Sequence, residues 1–437
     1  RVDGEDPRQL PGGGALMAGV GDTPAGGPGG GTPRAARDFS ALASRGIRGL
    51  ASYDPGHDIV ALRNRAGEQG LLELGGNESA WGPSLLATAA LRSELQTLEL
   101  YPDPRGGVLK HALAEAFGVE RERLLLGNGT HELLMQIAQV FAGPDRPVLV
   151  SRYCFAVYPL AAQAANARLD VVEALPKAHP TQPRGHDIDA MIAALTPDHG
   201  LVMLANPNNP TGTWLTTAQI ERLLQAAGPD TLVVLDEAYG EFLAQPGCES
   251  ALSLIRKYQN LLVTRTFSKL HGLAALRVGV LVADPGVVAV MERVRESFNV
   301  NSPGLAAAAA ALKDEAHIAS VLRETAGNRE ALAIELRARG WFVHPSQTNF
   351  LLVDFGTPEA AAAIDRGLLA RDIVVRPMRG YGLTTCLRIT VGKVEQNARL
   401  LKALDAVVAE AGLSPTGNDA SHTASLSAYR VGDGASA

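Results

Sequence analysis

Cysteine is scarce in this chain: Cys154, Cys248 and Cys386 are all it has. Their odd number and wide spacing argue against a disulfide framework and against a zinc site. No HExxH or paired Cys/His spacing occurs either, so no metal centre is expected. Base is not in excess. The formal net charge of −6 gives no electrostatic footprint for nucleic acid. No apolar run is long enough to cross a bilayer, so no membrane partner is expected. Residues 1–33 lack the charged region and apolar core of a secretory signal. The first residue is Arg1 rather than Met, which leaves the native start open. A reducing cytoplasm is the expected setting.

What is present is an ordinary globular composition. Of 437 residues, 46% are hydrophobic and 20% charged. That suffices for one large domain and a smaller one, each with its own core. Residues 1–37 are dense in Gly and Pro and bury too little apolar surface to offset their ordering entropy. They are expected to be a disordered leader, and residues 413–437 a disordered tail. An N-terminal arm is expected over 38–83, a large domain over 84–304 and a small α+β domain over 305–412.

Short apolar runs punctuate the large domain at long intervals. They are Leu124-Leu125-Leu126, Val148-Leu149-Val150, Leu201-Val202-Met203-Leu204, Leu232-Val233-Val234-Leu235 and Leu261-Leu262-Val263. Helical patterns such as Leu109 to Phe117 and Thr130 to Phe141 lie between or beside them. Strands buried on both faces and separated by helices predict an α/β fold with a mainly parallel sheet. Ligands in such sheets sit beyond the carboxyl ends of the strands. The second domain carries the strand-like Asn349 to Val353 and Leu387 to Val391.

The polar clusters fall at those carboxyl ends. Lys269 follows Thr266-Phe267-Ser268, whose two hydroxyls suit a phosphate. A lysine there is either a surface residue or, desolvated beside other cations, an amine able to form an imine. Asp236 ends an apolar strand, where a carboxylate is costly unless paired. Its partner is a capping N–H, an arginine or the protonated nitrogen of a pyridine ring. Tyr239 and Asn209 can each donate to a ring phenolic oxygen. Gly127-Asn128-Gly129-Thr130-His131 joins a strand to a helix, which makes either a phosphate site at the helix N-terminus or a capping turn. His131 would serve there through its backbone N–H. Phe155 either stacks on a ring or packs in the core. Arg388 either forks a carboxylate or makes a surface ion pair. Cys386 reads as packing. An imine-forming lysine, an aspartate for a pyridinium and Arg277 for a phosphate are together the parts needed for pyridoxal phosphate (PLP) chemistry.

These clusters resemble the fold-type I PLP enzymes of the aspartate aminotransferase superfamily, and within it the histidinol-phosphate aminotransferases. The resemblance covers about residues 47–412. It rests on Tyr101-Pro102-Asp103, Gly127-Asn128-Gly129-Thr130, Asn208-Asn209-Pro210-Thr211-Gly212, Asp236-Glu237-Ala238-Tyr239, Thr266-Phe267-Ser268-Lys269, Leu276-Arg277-Val278-Gly279, Val375-Arg376-Pro377-Met378 and Leu387-Arg388-Ile389-Thr390-Val391-Gly392. It implies a seven-stranded sheet with helices on both faces. It also implies Lys269 as imine former and proton shuttle, Asp236 on the pyridine nitrogen, and Tyr239 and Asn209 on the phenolic oxygen. Phe155 takes the stacking position. Gly129, Thr130, His131, Thr266, Ser268 and Arg277 form a phosphate cup.

Tyr101 would reach that phosphate from a second subunit, which implies a homodimer with shared sites. Asn77, Arg376, Arg388 and Tyr53 would meet the substrate, Arg376 through its phosphate and Arg388 through a carboxylate. The implied activity is transamination of histidinol phosphate with 2-oxoglutarate, giving imidazole acetol phosphate and glutamate in histidine biosynthesis. Alternatives are an aromatic amino acid aminotransferase, a PLP decarboxylase or oxidase and, last, a non-catalytic protein that kept the fold. The family usually shows Asn-Glu-Asn-Pro near the site mouth, where this chain has Asn77-Glu78-Ser79-Ala80-Trp81-Gly82, preceded by Gly75-Gly76.

Overall fold

The computed structural model describes residues 38–50, 56–66 and 70–414; the expected leader and most of the expected tail lie outside them. The described residues before Ser44 carry one short turn at Ser40–Leu42, and the described residues from Ser44 on form one compact unit.

Leu72–Glu73 forms the first strand, β1. The main sheet then takes in Leu124–Gly127 (β2), Val148–Ser151 (β3), Leu169–Val172 (β4), Leu201–Ala205 (β5), Leu232–Asp236 (β6), Leu261–Thr266 (β7) and Gly279–Val282 (β8). Their spatial order is β2-β8-β7-β6-β5-β3-β4. Every pairing is parallel except the two made by β8, which runs against both β2 and β7. The alternation of strand side chains explains the unbroken apolar runs. Leu124, Leu126, Val202, Leu204, Val233 and Leu235 enter one core, while Leu125, Leu201, Met203 and Val234 enter a second on the other face. Helix Gly107–Phe117 supplies Leu109 and Leu113 to the first core, and helix Thr130–Phe141 supplies Leu133 and Ile137 to the second.

The second layer is a four-stranded sheet in the order β12-β13-β10-β9. Its strands are Phe342–Val343 (β9), Phe350–Asp354 (β10), Arg376–Pro377 (β12) and Cys386–Thr390 (β13). Helices Glu315–Ala338, Pro358–Leu369 and Val394–Glu410 cover it around a separate core. Ile373–Val374 (β11) pairs in parallel with β1, and Leu72 and Leu74 are buried in that same core. Part of the expected arm is thus sewn into the second layer.

The expected boundary at residue 305 falls inside helix Ser302–Ala311, whose Leu305, Ala307 and Ala308 pack in the core of the large sheet. Alanines there let the helix lie close, so the second layer begins after it, at Glu315. Among the described residues no helix is long and apolar enough to cross a membrane.

Candidate active site

β5, β6 and β7 point their carboxyl ends at one cavity of about 360 Å³. Its floor is Asp236, the last residue of β6 and only 3% exposed. The carboxylate accepts hydrogen bonds from Thr264 Oγ1 at 3.0 Å, Tyr158 Oη at 3.1 Å and the Ala238 N–H at 3.2 Å. Burial pushes its pKa up to about 6 against those three bonds. Among the described residues no Lys, Arg or His forms an ion pair with it. A buried carboxylate with neutral donors on one side, facing a cavity on the other, suits a cation entering from the cavity. A pyridinium N–H is such a cation.

Lys269 follows β7 and faces the same cavity. Burial lowers its pKa to about 8; Glu78 opposes the shift, and Arg388 and Arg277 add to it. Its Nζ donates to Gly76 O at 3.1 Å. Around it, Thr266 Oγ1 donates to Ser268 Oγ at 3.0 Å, and Arg277 Nη1 donates to Ser268 Oγ at 3.4 Å and to Ala274 O at 3.1 Å. Helix Thr130–Phe141 opens toward them with Thr130 and His131 on the cavity wall. Gly129 holds φ at 79°, and a β-carbon there would overlap the Arg277 guanidinium. Burial and Arg277 lower the His131 pKa. Two hydroxyls, a guanidinium and a helix N-terminus within one cradle fit a phosphate. The residues present therefore fit PLP at both its ends.

The opposite wall comes from the second layer and from the segment after β1. Asn77 Nδ2 donates to Tyr239 Oη at 2.8 Å, and Asn77 is held in turn by Asn349 and Thr390. Arg388, 7% exposed, donates from Nη1 to Asn209 Oδ1 at 2.6 Å and from Nη2 to Gly75 O at 2.9 Å. Its buried Nε has no hydrogen-bond partner among the described residues. Arg376 stands directly across from Arg388 in the β12–β13 ladder, and both line the cavity. Phe155 lines it too and meets Tyr158 edge-on at 5.8 Å.

Of the singled-out residues that the structure describes, Tyr101 and Gly129 do not line the cavity. Tyr101 is 82% exposed and stacks on Phe298 at 4.6 Å, and Tyr53 lies outside the described residues. Gly129 backs the cradle against Arg277 rather than lining the cavity itself. Tyr158, Thr264, Glu78 and Tyr381 were not singled out. Thr264 is the ladder partner of Asp236, so correct register of β6 and β7 would have found it. Tyr158 comes three residues after Phe155, but only the helix at Val157–Ala164 turns its hydroxyl onto Asp236.

The profile of the aminotransferase class I and II family matches residues 70–404. Histidinol-phosphate aminotransferase 1 of Nitrosococcus oceani is 40% identical over 372 residues, which cover 85% of this chain and 98% of that protein. Histidinol-phosphate aminotransferase 2 of Pseudomonas fluorescens is 41% identical over 374 residues, covering 85% and 99%. The crystal structure of histidinol-phosphate aminotransferase from Sinorhizobium meliloti in complex with pyridoxal-5'-phosphate superposes with a TM-score of 0.75. It is 30% identical and covers 84% of this chain and 98% of that one.

Proposed function

This chain belongs to the class I and II aminotransferases, which use PLP, and from that premise we propose that it moves the amino group of histidinol phosphate to 2-oxoglutarate. The products are imidazole acetol phosphate and glutamate, a step of histidine biosynthesis carried out in the cytoplasm. The observation that carries the substrate is the cross-strand pair Arg376 and Arg388. Like charges directly opposite each other on a sheet repel. Both line the cavity, apart from the Arg277 cradle, so an anion between them offsets the repulsion. The donor's phosphate is such an anion, distinct from the cofactor's. The carboxylate of 2-oxoglutarate takes the same place in the second half-reaction.

When bound, PLP supplies an electron-poor ring that accepts the electron pair left at the donor's α-carbon. The chain's own residues do the rest. Lys269, with its amine neutral, removes the α-proton and returns it one carbon away. Asp236 stays ionised above about pH 6 and holds the pyridinium proton in place. Tyr239 and Asn209 would hold the phenolic oxygen, with Asn77 fixing the tyrosine hydroxyl and Arg388 fixing the Asn209 amide. Phe155 would lie against the ring, and Thr130, His131, Thr266, Ser268 and Arg277 would hold the phosphate. Large-sheet residues thus hold the cofactor, and the second layer, from Glu315 on, holds the substrate.

Arg376→Ala is expected to lower kcat/KM for histidinol phosphate by roughly 10- to 100-fold, the value of a charged hydrogen bond. Phenylalanine, which brings no phosphate, should lose far less. Equal losses for both donors would remove Arg376 from phosphate binding.

Part of the reading is a homodimer. Leu85, Leu86, Leu98, Leu100, Tyr101 and Val108 leave apolar side chains exposed along one stretch of chain. A second copy covers them and receives Tyr101 at its own cofactor phosphate. Light scattering should return twice the chain mass, and Tyr101→Ala should weaken PLP binding. A monomer with full PLP affinity contradicts this arrangement.

A further inference from the structure

The segment Gly75-Gly76-Asn77-Glu78 forms the rim of the cavity, and the first three residues are tied to the site. Gly75 O accepts from Arg388, Gly76 O accepts from Lys269, and Asn77 donates to Tyr239. Glu78 differs. Its carboxylate folds back over Gly76 so closely that a β-carbon on Gly76 would overlap both carboxylate oxygens. The φ angle of Gly76 is not in the left-handed region, so the backbone there does not demand glycine. What the missing side chain provides is room for Glu78 to turn inward.

The cavity wall is strongly cationic, with Lys269, Arg277, Arg376 and Arg388. Among the described residues two carboxylates line it, Asp236 and Glu78. Asp236 is on the floor and engaged by three donors. Glu78 is exposed at the rim, its carboxylate takes no donor among the described residues, and it acts through space on Lys269 and on Arg63. The arginines serve the anionic end of a donor, and Lys269 serves its amine. The carboxylate left for the remaining end is Glu78.

We infer that Glu78 accepts an N–H from the ring of the amino donor and so selects nitrogen heterocycles of the imidazole class over hydrocarbon aromatic rings. This rests on the proposed reaction. Neutral imidazole presents one N–H and its cation two, whereas a phenyl ring presents none. A phenyl ring against the carboxylate would strip its water and return no hydrogen bond. One residue therefore attracts the first donor and disfavours the second.

The test compares histidinol phosphate with phenylalaninol phosphate, which share amine and phosphate and differ in the ring. PLP-loaded full-length enzyme is assayed as wild type, Glu78→Gln and Gly76→Ala. Glu78→Gln removes the charge, and Gly76→Ala displaces the carboxylate without touching it. In both variants the ratio of kcat/KM for the two donors should fall about tenfold, mainly through KM, with the lysine-bound cofactor absorbance retained. Equal losses on both donors, or an unchanged ratio, would overturn the role of Glu78 while leaving the proposed reaction standing. Wild-type enzyme inert toward histidinol phosphate would overturn both.

Discussion

Lys269→Ala is expected to abolish transamination, with a loss of about 10⁴-fold or more, because the residue both bonds the cofactor and shuttles the proton. The near-visible absorbance of the lysine-bound cofactor should vanish as well. The cause lies in the setting of the amine. Burial beside Arg388 and Arg277 lowers its pKa to about 8, so neutral amine is available at modest pH. The sign follows directly: below that value the protonated amine is not a nucleophile, and above it the free amine is. Capture of PLP by the cofactor-free enzyme should therefore accelerate as pH rises through about 8 and then level. A capture rate that stays flat across that range, or a Lys269→Ala protein that keeps the absorbance band, would assign the cofactor to another lysine.

Asp236→Asn should be nearly as damaging. Removing one partner of a buried charge pair costs several kcal/mol, which corresponds to roughly 10²- to 10³-fold in PLP affinity, with a further loss in kcat. The cofactor-free protein should respond in the opposite sense. Burial raises the Asp236 pKa from 3.8 to about 6. A folded pKa above the unfolded one gives stability that is present below about 3.8 and lost as pH rises through about 6. Cofactor-free wild type should thus lose thermal stability relative to Asp236→Asn across that window, and PLP should restore it. If PLP stabilises both proteins equally at neutral pH, Asp236 is not the partner of the ring nitrogen.

Much of the large sheet was legible because its strands are continuous apolar runs, a pattern that burial on both faces produces. Asn209, Asp236 and Lys269 were legible as one site because each follows such a run, and strands in parallel array end on the same side. β8 was not visible as the reversed strand, since Gly279–Val282 carries the same apolar signature as its parallel neighbours. The Ala-rich stretch at Ser302–Ala311 announced a helix but not which core receives it. Tyr158 and Thr264 depend on register and on helix direction, which composition does not encode. Glu78 was hidden because its position depends on the bare α-carbon of Gly76 two residues earlier. Tyr101 has its proposed task in a second copy of the chain, so a single subunit leaves it exposed.

The central claim is that the Arg376–Arg388 pair makes this a phosphate-reading aminotransferase. The most direct test is steady-state transamination with 2-oxoglutarate, comparing kcat/KM for histidinol phosphate and for phenylalanine on the PLP-loaded enzyme. A preference for histidinol phosphate of at least about tenfold is expected, in line with a phosphate held by charged hydrogen bonds. Equal or greater efficiency with phenylalanine, or no turnover of histidinol phosphate, would contradict it.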